Sequence, residues 1–100
     1  MNFRFADVKS FIDKHQEAIG DEREVVLERA TEERKNGKGE IPEKSVAFIF
    51  QFDNEITERF FKEHGHRVAW IAAGANAGIT PPQGNKGRRT ILIDYFQNLS

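Results

Sequence analysis

Residues 45–74 read SVAFIFQFDNEITERFFKEHGHRVAWIAAG, with two apolar runs on either side of one helical pattern. The runs, residues 46–52 and residues 68–73, are apolar at odd and even positions alike, which is typical of strands covered on both faces. The stretch between them is long enough to carry a helix across to a parallel neighbour. We therefore expect a strand–helix–strand centre with layers on two sides, and an antiparallel pairing of the two strands stays open.

Two helices are predicted ahead of this centre. Apolar residues recur at helical spacing over residues 8–19, and Gly20 indicates the end of that helix. A second helix is predicted over residues 22–35, apolar only in its first half, so its charged end at residues 31–38 should project into solvent. Residues 40–44 are then expected to form a linker into the first central strand.

Strands are also predicted towards both ends of the chain. Residues 90–96 form the last strand, less uniformly apolar than the others and hence at or near a sheet edge. Aromatic and polar residues alternate over residues 1–5, a candidate fourth strand. The predicted class is α+β, with compact α/β as the alternative: an N-terminal helical hairpin, then β-α-β-loop-β, giving a three- to four-stranded mixed sheet with helices on both faces. Residues 1–100 are expected to form a single domain.

Composition limits the possible function classes. The chain has no cysteine, which excludes disulfides, thiolate nucleophiles and zinc ribbons, so a metal site would need His, Asp or Glu. The net charge of −1, from 15 basic and 16 acidic residues, indicates neither a duplex-binding surface nor a mimic of nucleic acid. Since no signal-peptide pattern or membrane-length apolar run is present, we expect a cytoplasmic protein that contacts no membrane. No cofactor is expected.

The long connection at residues 74–89 is rich in turn formers and ends in three cations, Lys86, Arg88 and Arg89. Glycines beside these cations expose backbone N–H groups, a combination suited to a phosphate or to an acidic partner surface. The glycine spacing matches neither of the common phosphate-binding motifs. Three interpretations stay open: an ordinary surface loop, a protein-binding loop, and a phosphate or nucleic-acid contact.

A third helix is predicted over residues 55–64. Asp53 or Asn54 is its expected N-cap, and Gly65 is its expected end. Its inward face is expected to consist of Ile56, Phe60 and Phe61.

Two histidines end this predicted helix. His64 and His66 lie beside Glu63 and, with Asp53, are candidates for metal ligands or for an acid–base pair. Histidines two residues apart across a glycine are not a standard metal spacing, and no third ligand can be identified. A histidine that interacts with the helix dipole is the simpler interpretation.

The leading functional hypothesis is a small, non-enzymatic, inhibitor-like protein-binding module, of the kind found among immunity proteins, antitoxins and phage-encoded inhibitors. The reasoning is largely by elimination, because the chain offers surface and no reactive constellation. One protein partner is expected, and the chain would be of bacterial or phage origin. The expected binding residues are Lys86, Arg88 and Arg89 in the loop, and Glu33, Arg34 and Lys35 at the charged helix end.

Two other function classes are retained. The first is a nucleic-acid or phosphate-binding protein that uses the basic, glycine-rich residues 84–89. The second is a small hydrolase or nuclease that uses His64 and His66. A homodimer formed through the edge strand at residues 90–96 is also possible on this pattern.

Overall fold

The computed structural model describes residues 2–71, 77–78 and 90–93. The chain divides into two compact units, Met1–Phe50 and Gln51–Ser100. Both units combine α-helix with antiparallel strands, which confirms the α+β class. The single domain over residues 1–100 stays a prediction.

The first unit has four helices, one 3₁₀ turn and two short strands in its described residues. In chain order they are β1 (Asn2–Arg4), α1 (Phe5–Lys14), α2 (Gln16–Ile19), the 3₁₀ turn (Gly20–Glu22), α3 (Arg23–Asn36), β2 (Glu40–Pro42) and α4 (Glu43–Ile49). α1 packs against α3 as the predicted helical hairpin, but the first helix, predicted over residues 8–19, is divided at His15 into α1 and α2. The strand at the N-terminus is confirmed, but its antiparallel partner is β2, with Phe3 opposite Ile41, where a linker was expected.

The prediction of a strand at residues 46–52 is wrong, because this part of the chain begins as helix α4. Three of the residues of α4 are buried, Ser45, Val46 and Ile49, and so is Phe50, which directly follows the helix. They recur at helical spacing on one face, whereas Phe48 keeps 46% of its surface exposed. A short apolar run has the same composition in a buried strand and in a packed helix, so periodicity alone does not separate the two.

The second unit contains one helix and three strands in its described residues: α5 (Asn54–Glu63), β3 (Val68–Ile71), β4 (Ala77–Gly78) and β5 (Thr90–Ile93). The strand order is β4-β3-β5, and β3 is antiparallel to both neighbours. A parallel pairing between residues 46–52 and 68–73 is therefore ruled out, and the described sheet is antiparallel, not mixed. β5 is an edge strand among these three, as expected. The complete predicted arrangement, with helices on both faces of the sheet, is not confirmed.

α5 follows its sequence signals closely. Asp53 is the N-cap, and its Oδ1 accepts a hydrogen bond from the backbone N–H of Glu55 at 2.9 Å. Gly65, with φ of 84°, ends the helix in the left-handed conformation that glycine adopts without strain. Between these ends the helix buries Phe60 and Phe61, the inward face that the spacing predicts.

Candidate functional site

The predicted binding residues form two groups, of which the structure describes one. The loop cations lie outside the described residues: Lys86, Arg88 and Arg89. The other group lies near the end of α3: Glu33, Arg34 and Lys35. Only the α3 group has described surroundings. The candidate site among the described residues therefore lies on and around that helix.

The end of α3 is largely exposed, and contacts are defined for two of its residues. The Arg34 guanidinium carbon lies 4.8 Å from the centre of the Phe5 ring, within the range of a cation–π contact. Glu33 is half-buried, and its carbonyl oxygen accepts a hydrogen bond from Gly37 N at 2.9 Å. Lys35 is exposed. The prediction of a solvated helix end is therefore confirmed for both Arg34 and Lys35, which are exposed, although the Arg34 guanidinium also lies over an aromatic ring.

A shallow groove of about 410 Å³ runs along the outer side of α3. We call it the α3 groove, and its described lining is Leu27, Glu28, Thr31, Glu32, Lys35 and Asn36. Residues four apart form the two rows of this lining, because side chains at that spacing are neighbours on a helix. Two carboxylates and one ammonium group make the groove polar and mixed in charge, so it is not a binding site for a polyanion.

A second surface lies on the flank of α3 that packs against α4, and we call Val25, Arg29 and Phe48 the Phe48 surface. Val25 is 38% exposed and Phe48 46% exposed, and these are the exposed large apolar side chains among the described residues. The Arg29 guanidinium carbon lies 5.5 Å from the centre of the Phe48 ring. Val25 and Arg29 are four residues apart, so they share one face of α3. The result is a small apolar patch with a cation held over it.

The guanidinium group of Arg29 lacks hydrogen-bond partners from the described residues in this position. Its Nη1 is buried and has no hydrogen-bond partner among the described residues. No carboxylate in the described part of the chain pairs with it either, although Glu32 and Glu33 follow on the same helix. A buried donor left without a partner costs about 1–3 kcal/mol. Arg29 is therefore held by the Phe48 ring and lacks the acceptor that a guanidinium normally finds.

The Phe48 surface was missed because the sequence pattern predicts Phe48 inside a strand. The signal that identifies this surface is the helical spacing of the buried residues in and directly after α4, since Val46, Ile49 and Phe50 leave Phe48 on the opposite side. Arg29 has no comparable signal. On the pattern alone it is one of several charged residues on α3, and only the packing of α4 against α3 distinguishes it.

The second unit has a hollow of about 460 Å³ beside α5. The described residues that line it are Glu55, Glu58, Arg59, Lys62 and Glu63. Glu58 is only 5% exposed, and its Oε1 lies 3.0 Å from Lys62 Nζ, close enough for an ion pair. The same face of α5 also buries Asn54 and Thr57, at helical spacing from Glu58. Three carboxylates and two cations line the hollow, so their charges compensate one another only in part, and the Glu58–Lys62 ion pair favours a structural role for these two residues.

His64 and His66 stabilise the end of α5. His64 Nδ1 lies 2.7 Å from the carbonyl oxygen of Phe60, and because a carbonyl only accepts, Nδ1 is the donor. The His64 ring packs on Phe60 with ring centres 4.3 Å apart, and the His66 ring meets Phe61 edge-on at 6.3 Å. These contacts match the simpler interpretation, a histidine at a helix C-terminus. Within the described residues, no group of three or more His, Cys, Asp or Glu side chains is arranged to hold a metal ion.

Comparison with known proteins gives no family for this chain. No protein-family model, curated protein or solved structure matches it. In the part of the chain that the structure describes, none of the helices combines the length and apolar character needed to cross a bilayer. The basis for a proposed function is therefore the side chains of the α3 groove, of the Phe48 surface and of the C-terminal end of α5.

Proposed function

We propose that this chain is a small, non-enzymatic protein-binding module, inhibitor-like and cytoplasmic, that contacts one protein partner through the Phe48 surface. The observation that carries the proposal is the exposed Phe48 ring with Arg29 over it. Aromatic and arginine side chains are enriched at protein interfaces and among the residues that dominate binding energy. A ring that packing already orients loses little further freedom on binding.

The α3 groove extends this surface. Glu28 follows Val25 by three residues and Glu32 follows Arg29 by three, so the groove adjoins the Phe48 surface along the helix. In this arrangement Phe48 and Val25 form the apolar centre of the interface, and the groove, with the predicted binding residue Lys35, forms a polar rim. Arg34 and Glu33 support the helix end and contribute less to binding.

The other function classes lack support of this kind. Carboxylates beside Arg29 repel a phosphate backbone, so the described residues do not favour nucleic acid, and contact through residues 84–89 stays a prediction. The hydrolase or nuclease hypothesis depends on His64 and His66. Both side chains are already in contact with residues of α5, His64 with the carbonyl oxygen of Phe60 and His66 with the Phe61 ring. A homodimer through residues 90–96 also stays a prediction.

Site-specific photocrosslinking tests the proposed function. A photoreactive phenylalanine analogue is placed at position 48, and at Ala18 on α2, which is exposed and outside the Phe48 surface, as the control position. In cells that naturally express the chain, position 48 should yield one crosslinked protein that survives nuclease treatment, and position 18 should not. Excess unlabelled native chain should abolish the product, whereas excess Phe48→Ala variant should leave it.

Three results contradict the proposal. Position 48 gives no crosslinked protein, positions 48 and 18 give the same products, or the Phe48→Ala variant competes as well as the native chain. Loss of the product on nuclease treatment would instead indicate that nucleic acid holds the complex together.

A further inference from the structure

We infer that the partner segment covering the Phe48 surface presents an apolar side chain with a single carboxylate beside it, and that Arg29 binds this carboxylate. The inference rests on the proposed function and states the chemistry of the partner. Its starting point is the guanidinium group that the first unit holds over Phe48 and that pairs with no carboxylate of the described residues.

Arg29 differs from two other arginines of the first unit, Arg4 and Arg23, which have a carboxylate partner. Arg4 donates to both carboxylate oxygens of Asp7, at 3.2 and 3.1 Å, and Arg23 pairs with Asp13 at 2.9 Å, although the Nε of Arg23 is buried without a hydrogen-bond partner among the described residues. Arg29 has three glutamates close to it in sequence, Glu28, Glu32 and Glu33, and pairs with none of them. The fold thus supplies a carboxylate to Arg4 and Arg23 and, within the part of the chain that the structure describes, none to Arg29.

The acceptor that fits is a carboxylate. A guanidinium is a planar fork of N–H donors that matches a carboxylate in a bidentate pair. Such a pair forms best where water is excluded, and an apolar side chain packed on Phe48 and Val25 excludes water from Arg29. The partner therefore needs an apolar side chain and a carboxylate next to one another in one segment.

The neighbouring charges restrict the acceptor further. Glu28 and Glu32 lie within one helical turn of Arg29, so a chain of phosphates laid across this face meets repulsion. One carboxylate that sits over Arg29 avoids both glutamates. The face therefore selects an acidic–apolar pair of residues and disfavours a polyanion.

Selection from a library of short random peptides displayed on phage, with the immobilised full chain as bait, tests this inference. A parallel selection on the Phe48→Ala variant identifies the peptides that need the Phe48 ring. Peptides enriched only on the native chain should carry Asp or Glu beside Leu, Phe or Trp. Their affinities are then measured as synthetic peptides by fluorescence anisotropy.

Two arginine variants provide the matched comparison, because Arg29 and Arg34 are both α3 arginines held over an aromatic ring. Arg29→Gln should weaken the selected peptides about 30-fold, the loss typical of removing one member of a buried charge pair. Arg34→Gln should cause a much smaller loss of affinity. Far-UV circular dichroism and the melting temperature check that both variants stay folded.

The outcomes separate the inference from the proposed function. The inference that Arg29 binds a carboxylate is overturned if peptides depend on Phe48 but show no preference for Asp or Glu. It is also overturned if Arg29→Gln and Arg34→Gln cause equal losses of affinity. Neither result contradicts the proposal that the Phe48 surface binds a protein. A short oligonucleotide that displaces the peptide from the native chain but not from Arg29→Gln also overturns the inference. Failure to obtain any peptide that depends on Phe48 overturns both the inference and the proposed function.

Discussion

Phe48 and Phe50 are two residues apart in one apolar run, and their surroundings are opposite. Phe50 has no exposed surface, and its ring centre lies 5.4 Å from that of Phe11 in an edge-to-face contact. Phe48 is 46% exposed. In a strand, residues two apart point to the same face, so both rings would be covered alike. Because Phe48 lies in helix α4 and Phe50 directly follows that helix, the two side chains point in different directions, and only Phe50 enters the core.

Truncating these two rings should therefore have unequal effects on stability. Phe50→Ala removes a fully buried aromatic ring and should lower the free energy of unfolding by about 3–5 kcal/mol. Phe48→Ala removes the contact with Arg29 and should cost no more than about 1 kcal/mol. Urea denaturation followed by circular dichroism measures both, and similar large losses for the two variants would contradict the helical assignment of α4.

At the scale of elements, α3 and α5 match their predictions, whereas the helix predicted over residues 8–19 is divided at His15 into α1 and α2. α5 has a capping Asp53, an apolar face and a terminal Gly65, and the structure shows each feature. α1 likewise buries Val8, Phe11 and Ile12 on one face. β2 was missed because a three-residue strand that contains Pro42 has little local signal and exists only through its pairing with β1. The Phe48 surface was missed with α4, because its position depends on that helix.

The turn between α3 and β2 depends on Gly37, which offers an element-scale test. Gly37 has φ of −92°, which any residue adopts, but a Cβ at this position would clash with the backbone carbonyl of Glu40 and lie 3.1 Å from Pro42 Cδ. Gly37→Ala should therefore lower the free energy of unfolding by about 1–3 kcal/mol, as overpacking does.

The neighbouring Asn36→Ala is the control for Gly37→Ala. Asn36 is exposed at the end of α3, so its substitution should change stability by no more than about 0.5 kcal/mol. Thermal and urea unfolding of the two variants, measured under the same conditions, provides the comparison. Equal stabilities of Gly37→Ala and the native chain would show that the turn has more room than the contact with Glu40 indicates.

For the whole molecule, the division into two units raises the question of how they unfold. Each unit spans half of a 100-residue chain without cysteine. A unit of this size buries too small a fraction of its surface to be more than marginally stable alone. We therefore expect the two units to unfold together, in agreement with the predicted single domain.

Two probes report on the two units separately. Trp70, the single tryptophan, is 2% exposed and lies in the second unit, whereas most of the described helical residues lie in the first. Tryptophan fluorescence and far-UV circular dichroism should therefore give the same urea midpoint and the same slope. Two separate midpoints would show that the units are independent domains.

Local features of the sequence were sufficient to predict α1, α3, α5, β3 and β5, since side-chain spacing, caps and terminal glycines act within a few residues. Tertiary contacts decided that residues 43–49 form a helix, that β1 pairs with β2 across the length of the hairpin, and that Arg29 lies over Phe48. The physical reason is that a short apolar run gains similar burial as a strand or as a helix. Residues distant in the chain supply the surfaces that cover such a run. They therefore also determine how much of Phe48 is exposed, and the proposed function rests on that exposure.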